Sequence, residues 1–274
     1  MLVDGLDHPE GVALGPDGRL WAGGEAGQLY AITLDGGLEE VGNTSGFVLG
    51  LALDEAGRVY ACDMNRKEVV RFDPAKSTTT VYSSGTNDVP MRVPNYPVFD
   101  AHGNLYVSDS GDWGAQDGCV FRISPDGETT VWTKEARCFP NQLCLDASGD
   151  ALLVIESTLP GVSRIPITAG GQAGKREVVA TLPETVPDGI AVSGDGAAIF
   201  VSCYRPDRIY CISPDGRLEI VLDDPFGLSL NQPTSLAFAG EDLDQLVIAN
   251  LGGWHLSIAP AGVTGAPVAY PTLS

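Results

Sequence analysis

Four short runs each set an oxygen-bearing side chain directly after a proline: Glu10 in HPEG, Asn95 in VPNYP, Asn141 in FPNQL and Asp188 in VPDGI. Two carboxylates and two amide carbonyls form an oxygen-only donor set. Gathered round one point, they suit a hard divalent cation whose charge the two carboxylates balance. Calcium (Ca2+) fits best. Manganese and magnesium also take oxygen ligands, and zinc is the remaining alternative, with no His or Cys among the four to favour it. A single Asn or Asp after a proline is ordinary turn chemistry. Only a fold that brings all four positions together makes them a site.

The chain carries such a fold as an internal repeat. HPEGVALGPDGRLWAGG, FVLGLALDEAGRVYACD, VPNYPVFDAHGNLYVSD, FPNQLCLDASGDALLVIE, VPDGIAVSGDGAAIFVSC and QPTSLAFAGEDLDQLVIAN align on the turn that follows each apolar run. The proline column falls at 9, 48, 94, 140, 187 and 233, with steps of 39, 46, 46, 47 and 46 residues, the length of a four-stranded propeller blade. Within the fifth unit, GIAV, AIFVSC, RIYCIS and LEIVL read as short strands separated by turns. The pattern predicts an all-β, six-bladed β-propeller of four antiparallel strands per blade, one domain over residues 1–274. In the last unit WHLSIAP and PVAY supply the third and fourth strands, and the role of residues 1–6 in closing the ring is left open.

That register places Glu10, Leu49, Asn95, Asn141, Asp188 and Thr234 at one equivalent place, the start of each innermost strand, facing the channel. The second strand returns to the same mouth, where it ends at Gly24, Asp63, Asp109, Glu156, Cys203 and Asn250. This outer column could hold metal-bound water, orient the ligands or supply a base, with Asp109 and Glu156 as the base candidates. Loops above it carry Arg66, Asp112, Trp113, Gln116, Asp117, Tyr204, Arg205, Trp254 and His255, suited to a small polar ligand, and SSGTNDVPMRVP (83–94) is a candidate rim or lid. Asp63, Arg66, Trp113, Tyr204 and Asn250 are the candidate substrate contacts. His102 falls on the far face, whereas His8 and His255 map to the ligand face, and His255 is the better base candidate of the two.

Composition narrows the classes. With 36 acidic and 16 basic residues the formal charge is −20, which repels nucleic acid and anionic membrane surfaces. No stretch has the apolar length of a membrane helix, and MLVDGLDHPE lacks a basic start before an apolar segment, so a soluble, cytoplasmic protein is expected. Six cysteines show no CxxC spacing and read as reduced, with Cys138 and Cys144 the exception to watch, close enough in sequence to meet across a loop. There is no GxSxG, GxxxxGKS or HExxH.

With HPEG, VPNYP, FPNQL and VPDGI in place, the chain resembles the senescence marker protein/gluconolactonase family of six-bladed propellers, which includes regucalcin, and more distantly diisopropyl fluorophosphatase. The resemblance implies that Glu10, Asn95, Asn141 and Asp188 are metal ligands and that a lactone or related small ester is hydrolysed, with Asp188 assisting water attack. One departure concerns the third unit. Sugar lactonases of the family show Arg-x-Asn-Asp there, where this chain reads Val93-Pro94-Asn95-Tyr96 with Arg92 one place out of register. A less polar lactone or another ester is therefore in view. A phosphotriesterase-like hydrolase on the same site, and a non-enzymatic ligand-binding propeller with structural calcium, are the competing readings.

Overall fold

The computed structural model describes residues 1–273 and forms six four-stranded antiparallel sheets. Blade 5 illustrates the plan: an inner strand Val186–Val192, then Ile199–Arg205, Arg208–Ile212 and an outer strand Leu218–Asp223. The inner strands of neighbouring blades contact one another in succession and return to blade 1, so they ring a central channel. Buried side chains fill the spaces between blades, as with Leu153, Ile155, Ile190, Val201 and Tyr210 between blades 4 and 5. Second strands read almost wholly apolar because both sheet faces are covered. LYVSD (Leu105–Asp109) and ALLVIE (Ala151–Glu156) are buried along their whole length.

The last blade departs from the sequence expectation. Its fourth strand is Val3–Asp4, paired as Val3 with Leu256 and Asp4 with His255, and PVAY forms no strand. The outermost place in that sheet is already filled by the chain's beginning, so the end of the chain goes elsewhere. Residues 264–273 cross the far mouth instead, held by Ala266 N–H to Val192 O (2.9 Å), Tyr270 Oη to Leu14 O (2.9 Å) and Arg58 to Leu273 O (2.7 Å). Sharing a sheet between the two ends of the chain latches the ring shut.

One irregularity recurs where it matters. In blades 2 to 6 the pairing of inner and second strands slips between the proline-column residue and the residue three places on. A bulge of this kind leaves two successive residues outside strict alternation and re-aims their side chains. Those residues are the candidate ligand and its successor.

Candidate functional site

Asn95, Asn141 and Asp188 stand at the starts of three inner strands around one mouth of the channel, and Glu10 stands two residues before the inner strand Val12–Leu14 of blade 1. Asn95, Asn141 and Asp188 are buried at 4%, 5% and 8% exposure, and Glu10 is half-buried. Burial pushes the Asp188 carboxyl well above its ordinary range, the charge of Glu10 adds to that, and the Asn141 amide opposes it. Burial likewise pushes Glu10 up to about 7. No basic side chain pairs with either carboxylate among the described residues. Two carboxylates in this state favour either protonation or a cation between them.

The neighbours hold these donors in place. Asn141 Nδ2 donates to Ser157 Oγ at 3.3 Å, and Ser157 Oγ donates to Pro187 O at 2.7 Å, joining two ligand-bearing strands. Ser110 repeats the second contact one blade earlier, donating to Pro140 O at 2.7 Å. Thr234 Oγ1 donates to Glu10 O at 2.6 Å, so the blade-6 member of the ring fixes the backbone of a ligand candidate. Leu49 is buried and apolar, closing the ring at blade 2.

Beneath the ring lies a floor made by the next residue in each repeat. Tyr96 Oη reaches from blade 3 to Val12 O in blade 1 at 2.9 Å. From blade 4, Gln142 donates to Leu236 O (3.0 Å) and accepts from Ile190 N–H and Leu236 N–H (both 3.1 Å). These two long side chains fit because the same column holds Gly11, Gly50 and Gly189. A Cβ at those positions would overlap the Leu49 carbonyl, the Tyr96 ring and the Thr234 carbonyl respectively. The floor separates the ring from a cavity of about 1080 Å³ at the far mouth, lined by Leu14, Leu53, Phe99, Leu145, Val192 and Phe238 among others.

The outer column gathers at the mouth as its position in the repeat requires, but its polar atoms turn to the backbone. Asp109 accepts from the amides of Arg92 (2.7 Å), Val93 (3.1 Å) and Gly111 (3.3 Å). Burial raises its pKa, and these amides oppose the rise. Glu156 accepts from Arg137 N–H (3.1 Å) and Cys138 N–H (3.0 Å), and it is ion-paired with Arg176 and hydrogen-bonded to Ser163. Asp63 accepts from Phe47 N–H and Arg66 N–H, each at 3.0 Å. Asn250 Oδ1 accepts from Asn231 N–H at 2.9 Å. The segment leading into each inner strand lies outside the sheet, so its buried N–H groups need acceptors, and this column supplies them.

The remaining sequence candidates divide in the same way. Both ring nitrogens of His255 face carbonyls, Nδ1 that of Gly253 (2.9 Å) and Nε2 that of Ser229 (3.1 Å), so neither turns to the channel. Arg66 is held by Glu68 at 3.1 Å and by Thr44 O at 3.3 Å. Trp113 and Trp254 stand exposed on the rim, and Tyr204 Oη accepts from Gln232 Nε2 at 2.6 Å. The segment 83–94 is pinned by a Gly85–Pro90 bridge and the buried Met91. His8 lies at the rim between Asp7 (2.8 Å) and Glu25 (2.9 Å), a half-exposed trio apart from the ring. Cys138 and Cys144 are both free, and burial pushes the Cys144 thiol up to about 12. Ser110, Ser157, Tyr96 and Gln142 escaped the sequence reading. Their signal was positional, since each directly follows a member of one of the two polar columns.

The family described as SMP-30/Gluconolactonase/LRE-like region matches residues 9–251. The chain belongs to this family. Among solved structures, a gluconolactonase from Xanthomonas campestris superposes with a TM-score of 0.81 at 20% identity, covering 94% of this chain and 88% of the other. The calcium-binding protein regucalcin from Agrobacterium tumefaciens gives 0.78 at 18% identity, covering 100% and 98%. At these identities the likeness is one of fold. A curated relative, Protein STRICTOSIDINE SYNTHASE-LIKE 3 of Arabidopsis thaliana, is 29% identical over 171 residues, which are 57% of this chain and 43% of that protein. The chain thus spans less than half the length of that relative. No helix among the described residues is long and apolar enough to cross a membrane.

Proposed function

We propose that this member of the gluconolactonase-like family is a calcium-dependent hydrolase of a lactone or related small ester. The observation that carries the reading is the Glu10–Asp188 couple, half-buried and buried respectively beside two Asn amides in one ring, with no basic side chain pairing with either among the described residues. The donor set fits a hard divalent cation on its chemistry: all oxygen, two negative charges and no competing cationic side chain among the described residues. Glu10, Asn95, Asn141 and Asp188 would hold the ion, which supplies Lewis-acid polarisation of the substrate carbonyl when bound.

The chain's own groups supply the rest. Asp188 takes the proton of the attacking water as its oxygen adds to the carbonyl carbon. The ring C–O bond then breaks, and the departing alkoxide recovers that proton from Asp188, leaving the hydroxy acid. The Tyr96–Gln142 floor closes the channel beneath and limits the water that reaches the reacting group. Ser157 and Thr234 keep Asn141 and the Glu10 backbone in position. Asp109 and Glu156, bound to backbone amides, serve as braces, which leaves the base role with Asp188.

Hydrolysis of aldonolactones, aliphatic lactones and a phosphotriester tests the reading, each with EDTA and then with calcium, manganese, magnesium or zinc restored. The expected outcome is lactone turnover that EDTA abolishes and calcium restores best. Turnover of the phosphotriester alone would establish the phosphotriesterase reading instead. Calcium binding that raises the melting temperature without any turnover would leave a ligand-binding propeller.

A further inference from the structure

The rim of the mouth has a construction of its own. Three residues directly before a proline of the repeat adopt positive φ: His8 (45°), Phe139 (57°) and Gln232 (50°). None is glycine, and such backbone is uncommon, costs energy and persists only where its surroundings enforce it. Each meets an aromatic side chain of the preceding blade, from the loop between the second and third strands for Trp254 and Trp113 and from the end of the second strand for Tyr204. The His8 ring lies 4.5 Å from that of Trp254, the Phe139 ring 4.8 Å from that of Trp113, and Gln232 bonds Tyr204 Oη at 2.6 Å. Trp254 itself has φ 57°. In a six-membered ring, blades 1 and 4 lie across the channel from each other, so the Trp254–His8 and Trp113–Phe139 pairs face one another over the metal-ligand candidates.

These aromatic groups are held in place and yet open. Trp113 is 60% exposed and Trp254 50%. The loop leading into blade 6 adds Phe226 and Leu228, at 83% and 80%, although it is tied down by Asp224 accepting from Ser229 and Leu230 N–H and by Asn231 donating to Gly227 O. Ordered apolar side chains left uncovered on one rim mark a binding surface. The polar groups that would read a sugar's hydroxyls are already occupied. Both arms of Arg92 are ion-paired, to Asp112 and Asp117, Asp109, Glu156 and Asn250 face the backbone, and Asp63 is fully buried with Oδ1 on backbone amides and Oδ2 shut away from the mouth without a partner. A hydroxyl stripped of water against such a rim would be left unpaired.

We propose that the mouth selects a lactone bearing an apolar alkyl, acyl or aryl substituent over a polyhydroxylated one, with the substituent laid against the indoles of Trp113 and Trp254. The proposal rests on the lactonase reading for its reaction but not for its binding surface. Paired rings pre-set an apolar wall at little entropic cost, because Trp has only two side-chain torsions to order.

The test uses the calcium-loaded protein with γ-butyrolactone, the same ring bearing a hexyl chain, and glucono-δ-lactone. The hexyl lactone is expected to exceed the unsubstituted ring roughly tenfold in kcat/KM, as partial burial of its methylenes implies. Trp113→Ala and Trp254→Ala should each lower that ratio severalfold. A second arm reads binding without turnover: tryptophan fluorescence titrated with the hexyl γ-lactam and with the plain γ-lactam, expected to differ about tenfold in Kd. If no lactone turns over but the hexyl lactam binds preferentially, the apolar mouth stands and the lactonase reading falls. Turnover with no preference for the chain in either arm, or with glucono-δ-lactone preferred, overturns the apolar mouth and leaves the lactonase reading intact.

Discussion

The two ends of the channel are built from the same six inner strands and differ in what their carboxylates do. At the far mouth Asp54, Asp100 and Asp146 recur at the same place in blades 2, 3 and 4 and are engaged by their own hairpin turns and neighbouring strands. Asp54 accepts from Arg58 N–H (2.9 Å) and Tyr60 Oη (3.0 Å), Asp100 from the amides of His102 and Asn104 (both 2.9 Å), and Asp146 from Asp150 N–H (3.1 Å) and Arg164 (2.8 Å). That mouth also holds a cavity of about 1080 Å³. At the ligand mouth Glu10 and Asp188 have no cationic partner among the described residues and repel each other. Cavity size therefore points to one end and unbalanced charge to the other. Charge is the better guide to chemistry, because a buried charge without compensation is costly and must be offset by a proton or by something bound.

Substitutions at the two ends should separate these roles, beginning with the largest effect. Asp188→Asn is expected to lower lactone kcat/KM by at least about a hundredfold and to weaken calcium binding measured by calorimetry, while the metal-free protein melts no lower. A fold that collapsed, or an activity that survived, would break the contrast between the two mouths. Glu156→Gln sharpens it from the other side. Removing the charge opposite Arg176 should cost about 3 kcal/mol in chemical denaturation and less than tenfold in kcat/KM, whereas a true general base would cost about 10² or more.

The third expectation concerns pH. Glu10 has a folded pKa raised from 4.5 to about 7, and Asp188 is raised as well, so the folded protein holds protons that the unfolded chain releases. The stability of the EDTA-treated protein should accordingly be highest below about pH 4.5 as far as this pair is concerned, and fall as pH rises through about 7. Saturating calcium should flatten that slope in melting curves taken across the window, because the ion replaces the protons. The smallest effect is expected at the far mouth. Asp146→Asn should cost about 1 kcal/mol of stability and leave lactone kcat/KM and calcium affinity within twofold; a large loss of activity would mean that the two mouths are coupled.

The repeat made most of the architecture legible in advance. Prolines and glycine turns at a near-constant spacing required short strands in meanders, and the register alone brought Glu10, Asn95, Asn141 and Asp188 to one mouth. Chain closure was not legible, since Val3–Asp4 is too short to announce itself and takes its place only because it pairs with Leu256 and His255. The outer column was located from the sequence but its use was not. Position in a repeat says where Asp109 and Glu156 stand, while the orientation of their carboxylates depends on which backbone amides the preceding segment leaves unpaired. Tyr96 and Gln142 are similar cases, ordinary residues in a strand until the bulge and the three glycines make them a floor.

Sequence by itself determined the periodicity, the chemical type of the donors and their equivalence, because these are properties of order along the chain. Only the tertiary structure decided which polar atoms remain unpaired, where the channel is blocked and which aromatic rings meet across blades. Those outcomes depend on contacts between residues as far apart as Glu10 and Thr234, or His8 and Trp254, which no local pattern encodes.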